Sequence, residues 1–192
     1  MGLIGEEIKQ RRPFRSLGQE ALLSLLRTAD VVRRTGSRTL DPHRLTPQQY
    51  NVLRILRGAG DEGLPTLDVA ERMIEQAPGI TRLMDRLEAK GLVRRQRCPR
   101  DRRQVLGWIT AAGLRLLAGL DKAVAEHDDV LLRSLGRERT SQLIDLLDLV
   151  RAAYQKPTPA PQKAPRSKNS PAGAPRPTSR GQAPAGATGI PR

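Results

Sequence analysis

The sequence predicts a mainly α protein with a small β-wing, a winged helix-turn-helix flanked by long N- and C-terminal helices. Three observations carry this expectation. Two short helical patterns, near 66–74 and 80–90, are joined by a tight link at Glu75-Gln76-Ala77. Two short strand patterns, Leu92–Arg97 and Val105–Ile109, then flank a polar, proline-containing loop. Long apolar stripes at helical spacing lie at either end of this block, and a helix pair followed at once by a two-stranded hairpin is a winged helix.

The stretch 77–110 organises the chain. Ile80, Leu83, Met84 and Leu87 recur at i, i+3, i+4 and i+7 and give one apolar face, while Gly79, Arg82, Asp85 and Arg86 fall on others. Pro78 sits near the first turn, and Gly91 is placed to end the helix in a left-handed conformation. From Arg94 to Arg103 there are six arginines and a single acid, Asp101. A free polar helix face beside a cationic hairpin suits reading one groove of a nucleic acid while gripping its backbone.

Taken in order, residues 1–13 read as a flexible start. From Phe14 the apolar positions Leu17, Ala21, Leu22, Leu25, Leu26, Ala29 and Val32 make a helical stripe that is expected to stop near Thr35-Gly36. Its apolar surface exceeds what one neighbour need cover, which fits a subunit interface or core packing. Residues 36–45 read as a connection. Thr46-Pro47-Gln48-Gln49 opens the next helix, with Thr46 as cap, Pro47 at the first position and Gln49 completing a capping box. Tyr50, Leu53, Ile55 and Leu56 supply its buried side, and the run Gly58 to Gly63 is expected to break it. Thr66 is the expected N-cap of the following helix. After the hairpin, Thr110 caps a long helix carrying Leu114, Leu117, Leu120 and Val124, Gly136 breaks it, and a last helix fades after Tyr154.

Composition narrows the partners. The 192 residues hold 34 Lys+Arg against 20 Asp+Glu, a formal net charge of +14, which favours polyanions: nucleic acid or an acidic membrane surface. With one Trp, one Phe and two Tyr, base stacking on aromatic platforms is disfavoured, which argues against a single-strand or RNA-binding module. No apolar run approaches the roughly 20 residues that span a bilayer, so no membrane partner is expected. A single cysteine, Cys98, forms no internal disulfide and fits a reducing cytoplasm. Cys98 lies among arginines that can lower a thiol pKa, so a redox role stands beside that of a passive thiol. His43 and His127 have no cysteine or acidic cluster to complete a metal site, and no cofactor is expected. Without a G-x-S-x-G, a phosphate-cradling glycine loop or an H-E-x-x-H, the chain reads as no enzyme. Residues 155–192 hold nine of the 15 prolines, seven of the Lys+Arg and no acid, so they contribute +7 of the +14. Such a segment buries too little to offset its ordering entropy and reads as a disordered, basic Pro/Ala/Gly-rich tail: a solvated extension, or a diffuse electrostatic tether for DNA.

ITRLMDRLEAKGLVRR followed by PRDRRQVLGWITAAG resembles the DNA-binding core of the MarR (multiple antibiotic resistance regulator) family. The most specific part is Asp101-Arg102-Arg103 with the Val-Leu strand, Thr110 and Gly113 behind it; the likeness covers about residues 14–154. It implies a DNA-binding lobe at about 46–110 and dimerisation helices at about 14–35, 111–135 and 138–154. It also implies a homodimeric transcriptional repressor of a pseudo-palindromic operator, relieved by a small lipophilic or phenolic effector. Carried over by position, Pro78, Gly79, Thr81, Arg82 and Arg86 would face double-stranded DNA with the wing arginines Arg95, Arg97, Arg100 and Arg102. Arg103 would be the minor-groove anchor, its guanidinium held by Asp101. For Arg82 and Arg86 a solvated face with pairs to Asp85 is the other reading. Ala77 stands where many members place a hydroxyl cap. Two rival functions are an architectural DNA-binding protein with little sequence preference and no effector, and a winged helix that binds protein alone.

Overall fold

The computed structural model describes residues 3–76, 78–101 and 103–155. The expected tail beyond Gln155, the missing cap at Ala77 and the wing position Arg102 lie outside the described residues. The chain divides into two compact units at Leu146–Leu147. Of the second unit, residues 147–155 are described; they are helical, with an Arg151–Asp148 ion pair.

The start of the chain is more ordered than its polar composition predicts. Helix α1 (Leu3–Glu7) buries Ile4, and Glu7 pairs with Arg27 at 3.3 Å. Helix α2 (Leu17–Leu40) begins where the Ser16 hydroxyl accepts the Gln19 backbone N–H at 3.1 Å, a cap that moves the expected start from Phe14. The helix does not stop at Gly36. A Cβ at Gly36 would lie 3.2 Å from His127 Nε2, so this glycine admits a neighbouring side chain instead of ending the helix. The turn comes at Asp41–His43, which is 3-10, and at Arg44, whose φ is 53°.

Helix α3 (Pro47–Ala59) has the expected capping box, with both the Thr46 and Gln49 side-chain bonds present. Gln49 is buried, and its Oε1 accepts from the Thr46 amide and from Lys90 Nζ, both at 3.3 Å. The cap therefore also fastens α3 to Lys90, just beyond the helix that begins at Ile80. Gly58 stays inside α3, and the break falls at Gly60 and Gly63, both at positive φ.

Strand β1 (Leu64–Pro65) carries no periodicity of its own, being two residues long, and was not expected. It pairs with β3 (Val105–Ile109), which pairs antiparallel with β2 (Val93–Arg97), giving the order β1-β3-β2. Helix α4 (Thr66–Glu71) follows without a side-chain cap. The Thr66 hydroxyl instead donates to the Val105 carbonyl at 3.0 Å, so the expected cap is a tie between α4 and the wing. Helix α5 (Ile80–Ala89) buries Leu83, Met84 and Leu87 and ends at Gly91, whose φ is 67°, as the sequence requires.

Helix α6 (Ala111–Gln155) is capped by Thr110, whose Oγ1 accepts from the Gly113 amide at 3.1 Å. Gly136, at φ 75° and ψ 168°, interrupts it as expected. The core is a continuous cluster of Val52, Leu53 and Leu56 from α3, Val69 from α4, Met84 and Leu87 from α5, Val93 from β2 and Leu117 and Leu120 from α6. Gly107 lets β3 pass against α5, because a Cβ there would overlap the Met84 methyl group.

The glycines separate into two kinds, and two substitutions test the packing. A Cβ at Gly113 would lie 2.5 Å from the Leu92 carbonyl oxygen and 2.7 Å from Ile109 Cγ1. Gly113→Ala is therefore expected to destabilise the chain by about 1–3 kcal/mol. Gly58 has nothing within 4 Å of its would-be Cβ. Gly58→Ala is expected to stabilise by about 0.5–1 kcal/mol, and urea unfolding of both variants measures the contrast.

Candidate nucleic-acid interface

The apolar face of α5 is spent on the core, so its other sides are exposed and carry Thr81, Arg82, Asp85 and Arg86. A groove of about 290 Å³ on one side is lined by Gln48, Pro78, Gly79, Arg82, Leu83 and Arg86. A cleft of about 350 Å³ on the other separates α5 from the wing; Thr66, Thr81, Arg95, Arg103 and Gln104 are among its walls. Seven of the expected contact residues thus line the two hollows around one helix and the hairpin beside it, and Arg97 and Arg100 are exposed on the hairpin. Gln48, Thr66 and Gln104 line the same hollows and were not singled out. Nothing local in the sequence marks them, because each is brought there by a different element.

Two of the expectations change at the level of side chains. Arg95, expected on DNA, is half-buried and held by acids of α5. Its Nη2 lies 2.5 Å from Asp85 Oδ1 and 2.6 Å from Glu88 Oε2, and its Nε lies 2.9 Å from Glu88 Oε2. Burial of this guanidinium works against its charge, but hydrogen bonds and charge from Glu88 and Asp85 outweigh that, and its pKa is raised above the ordinary arginine value. The second change is at Asp101. Its carboxylate accepts the backbone N–H of Arg103 at 3.0 Å, and its carbonyl accepts the Gln104 N–H at 2.9 Å. Asp101 shapes the turn that presents Arg103, and does not grip the Arg103 guanidinium.

These pairings decide the charge of the surface. Asp85 is committed to Arg95, so Arg82 and Arg86 do not pair with it. Among the described residues, Arg82, Arg86, Arg97, Arg100 and Arg103 have no carboxylate within ion-pair distance. Arg94 is engaged differently, stacked 4.1 Å over the Trp108 ring. Trp108 in turn donates from Nε1 to the Asp61 carbonyl at 3.0 Å, which ties the wing to the turn before β1. Cys98 is partly buried, and its backbone amide donates to the Gln104 carbonyl at 3.0 Å, closing the hairpin.

A third hollow, of about 240 Å³, lies between α2, α3 and α6. Arg33, Tyr50, Arg54, Ile74, Val124 and His127 are among its walls. His127 reaches this wall because Gly36 leaves room for its ring. Two links join the cavity wall to the chain that enters α5: Asn51 Oδ1 accepts the Ile74 amide at 2.9 Å, and Arg33 pairs with Glu75 at 3.2 Å. Among the described residues, no group of His, Cys, Asp and Glu could hold a metal ion, and no helix is long and apolar enough to cross a membrane.

A helix pair, a three-stranded sheet and a projecting basic hairpin define a winged helix-turn-helix protein, a DNA-binding class and not an enzyme one. The MarR family matches residues 45–105, which run from the start of α3 to the start of β3. A MarR transcription factor from Planctomyces limnophilus is 42% identical, covering 71% of this chain and 99% of its own, at a TM-score of 0.55. The transcriptional repressor CouR, solved bound to a 23-mer DNA duplex, is 29% identical over 79% of this chain and 99% of its own, at a TM-score of 0.62. NadR, solved in complex with 4-hydroxyphenylacetate, is 29% identical over 72% and 97%, at a TM-score of 0.59. The chain belongs to the MarR family of DNA-binding transcriptional regulators.

Proposed function

We propose that this regulator is a homodimeric, sequence-specific repressor that binds a pseudo-palindromic operator in the cytoplasm and releases it when a small aromatic effector enters the α2–α3–α6 cavity. The observation that carries the DNA reading is the set of five arginines around α5 and the wing that, among the described residues, have no carboxylate partner, while the acids of α5 beside them are paired with Arg95. With Arg82 and Arg86 in the major groove, Arg103 reaches the adjacent minor groove, where a cation gains from the enhanced negative potential. Arg97 and Arg100 grip phosphates on either side. Pro78 and Gly79, which carry little to read with, permit close backbone approach at the helix start.

The dimer follows from apolar surface left open. Leu17 and Leu26 of α2 and Val130, Leu131 and Ile144 of α6 are exposed, more large apolar side chains than an isolated unit keeps in water. Joining two copies through these helices would hold two reading helices at a fixed separation, as a palindromic site requires. Selection of duplexes from a random pool by the full chain is expected to enrich inverted repeats with half-sites about one helical turn apart. On such a duplex Arg103→Ala is expected to lower affinity by about tenfold or more and the salt slope by about one per subunit, with the dimer intact by sedimentation. A pool that yields no preferred sequence would favour the architectural reading.

For the effector, the size of the cavity is the guide. A cavity of about 150 Å³ takes benzene, so one of about 240 Å³ accommodates a single substituted ring. Arg33, Arg54, Tyr50 and His127 supply polar partners for a hydroxyl or carboxylate on that ring. The Asn51–Ile74 and Arg33–Glu75 links carry a disturbance of the wall toward α5. A panel of monocyclic phenolic acids, 4-hydroxyphenylacetate among them, is expected to include compounds that raise the thermal midpoint of the protein and weaken its binding to the selected duplex. No shift across the panel would count against an aromatic effector at this cavity.

A further inference from the structure

Resting on the DNA-binding reading above, we propose that Arg95 is a positioning residue for DNA recognition: it locks the reading helix α5 to the wing strand β2 so that the two reach adjacent grooves together, without itself touching DNA.

The placement of Arg95 follows from strand geometry. Side chains alternate along β2, so Arg95 shares a face with Val93, which is buried in the core. That face looks toward α5. Asp85 and Glu88 stand three residues apart on α5 and hence on one side of it. Glu88 is held twice by the same residue: its Oε1 accepts the Arg95 backbone N–H at 3.1 Å, while its Oε2 accepts Nε at 2.9 Å and Nη2 at 2.6 Å. Asp85 takes a further bond from Nη2 at 2.5 Å. A planar guanidinium with donors in fixed directions can make this set; an ammonium cannot.

Exposure shows which way the cluster faces. The Arg95 side chain is 19% exposed, against 54% for Asp85 and 39% for Glu88. The cation lies beneath its acids, and a phosphate approaching from outside meets carboxylates first. This arrangement argues against the phosphate contact that the arginine run of the wing suggested. Arg95 also forms part of the wall of the cleft that has Thr81 on the helix side and Arg103 on the wing side. A protein that reads a major groove with a helix and the neighbouring minor groove with a wing must straddle the phosphate ridge between them. The clamp spans that division and sets its width. Its loss has a second effect: Asp85, once free, is three residues from Arg82 and competes with DNA for that guanidinium.

The test measures binding of the full chain to its selected duplex and to a scrambled duplex of equal length, across several salt concentrations. Arg95→Met is expected to weaken the selected duplex by about tenfold or more and the scrambled duplex by much less, with the salt slope changed by well under about 0.9 per subunit. Arg95→Lys, which keeps the charge, is expected to show a smaller loss of the same kind. The double variant Asp85→Asn/Glu88→Gln makes the surface more positive, yet is expected to lose specificity while binding scrambled DNA more tightly. A salt slope reduced by about 0.9 per subunit, with both duplexes weakened alike, would make Arg95 a phosphate contact and overturn the proposal. A carboxylate double variant that binds tighter with its preference intact would overturn it too. Should Arg95→Met fail to fold by circular dichroism, the lysine and double variants decide the matter. A wild-type chain that does not distinguish the duplexes refutes the sequence-specific reading itself, a result separate from any failure of the clamp.

Discussion

The fold depends on one junction, where the wing begins, ends and hands over to the long helix. The Thr110 amide donates to the Leu92 carbonyl at 3.0 Å, and its hydroxyl donates to the Gly91 carbonyl at 2.7 Å while accepting from Gly113 at 3.1 Å. Three events are fixed by this one threonine: the stop of α5, the closure of the hairpin and the start of α6. Gly91 supplies the left-handed turn, and Gly113 lets α6 start within contact of the Leu92 backbone. The reading helix and the wing are therefore joined at the base by Thr110 and along their length by Arg95. The cavity lies on the other side of α3, reached through Asn51 and Arg33.

Electrostatics then divides the arginines by role. A basic stretch does not by itself make a surface that binds DNA, because surface arginines pair readily with neighbouring acids at little net gain. Here the acids of α5 are drawn to Arg95, Arg94 is stacked on Trp108, and, among the described residues, Arg82, Arg86, Arg97, Arg100 and Arg103 stay unpaired. The same pairing that stiffens the lobe offsets one of the two carboxylate charges that would otherwise oppose a phosphate backbone. Stability and binding competence have a common source in this lobe.

Much of this was legible in the sequence. The α3 capping box, the Gly91 and Gly136 stops, both long wing strands and the Thr110 cap rest on local chemistry, and each stands in the structure as expected. What was not legible depends on partners distant in sequence. Gly36 looked like a helix stop because glycine usually is one, and only the position of His127 shows that it is a packing position. Thr66 had the right type for a cap but was claimed by the Val105 carbonyl, 39 residues on. Arg95 was indistinguishable from its neighbours in an arginine run until the register of β2 put it on the core face. Where the resemblance implied that Asp101 holds the Arg103 guanidinium, its carboxylate accepts the Arg103 backbone N–H.

The central claim is that α5 and the wing act as a single unit that straddles one phosphate ridge, repeated by a second copy. A hydroxyl-radical footprint of the full chain on its selected duplex measures this most directly. The expected pattern is protection on both flanks of a major groove and in the neighbouring minor groove, repeated with two-fold symmetry about one helical turn away. Uniform protection along the duplex, or protection confined to the major groove, would contradict it.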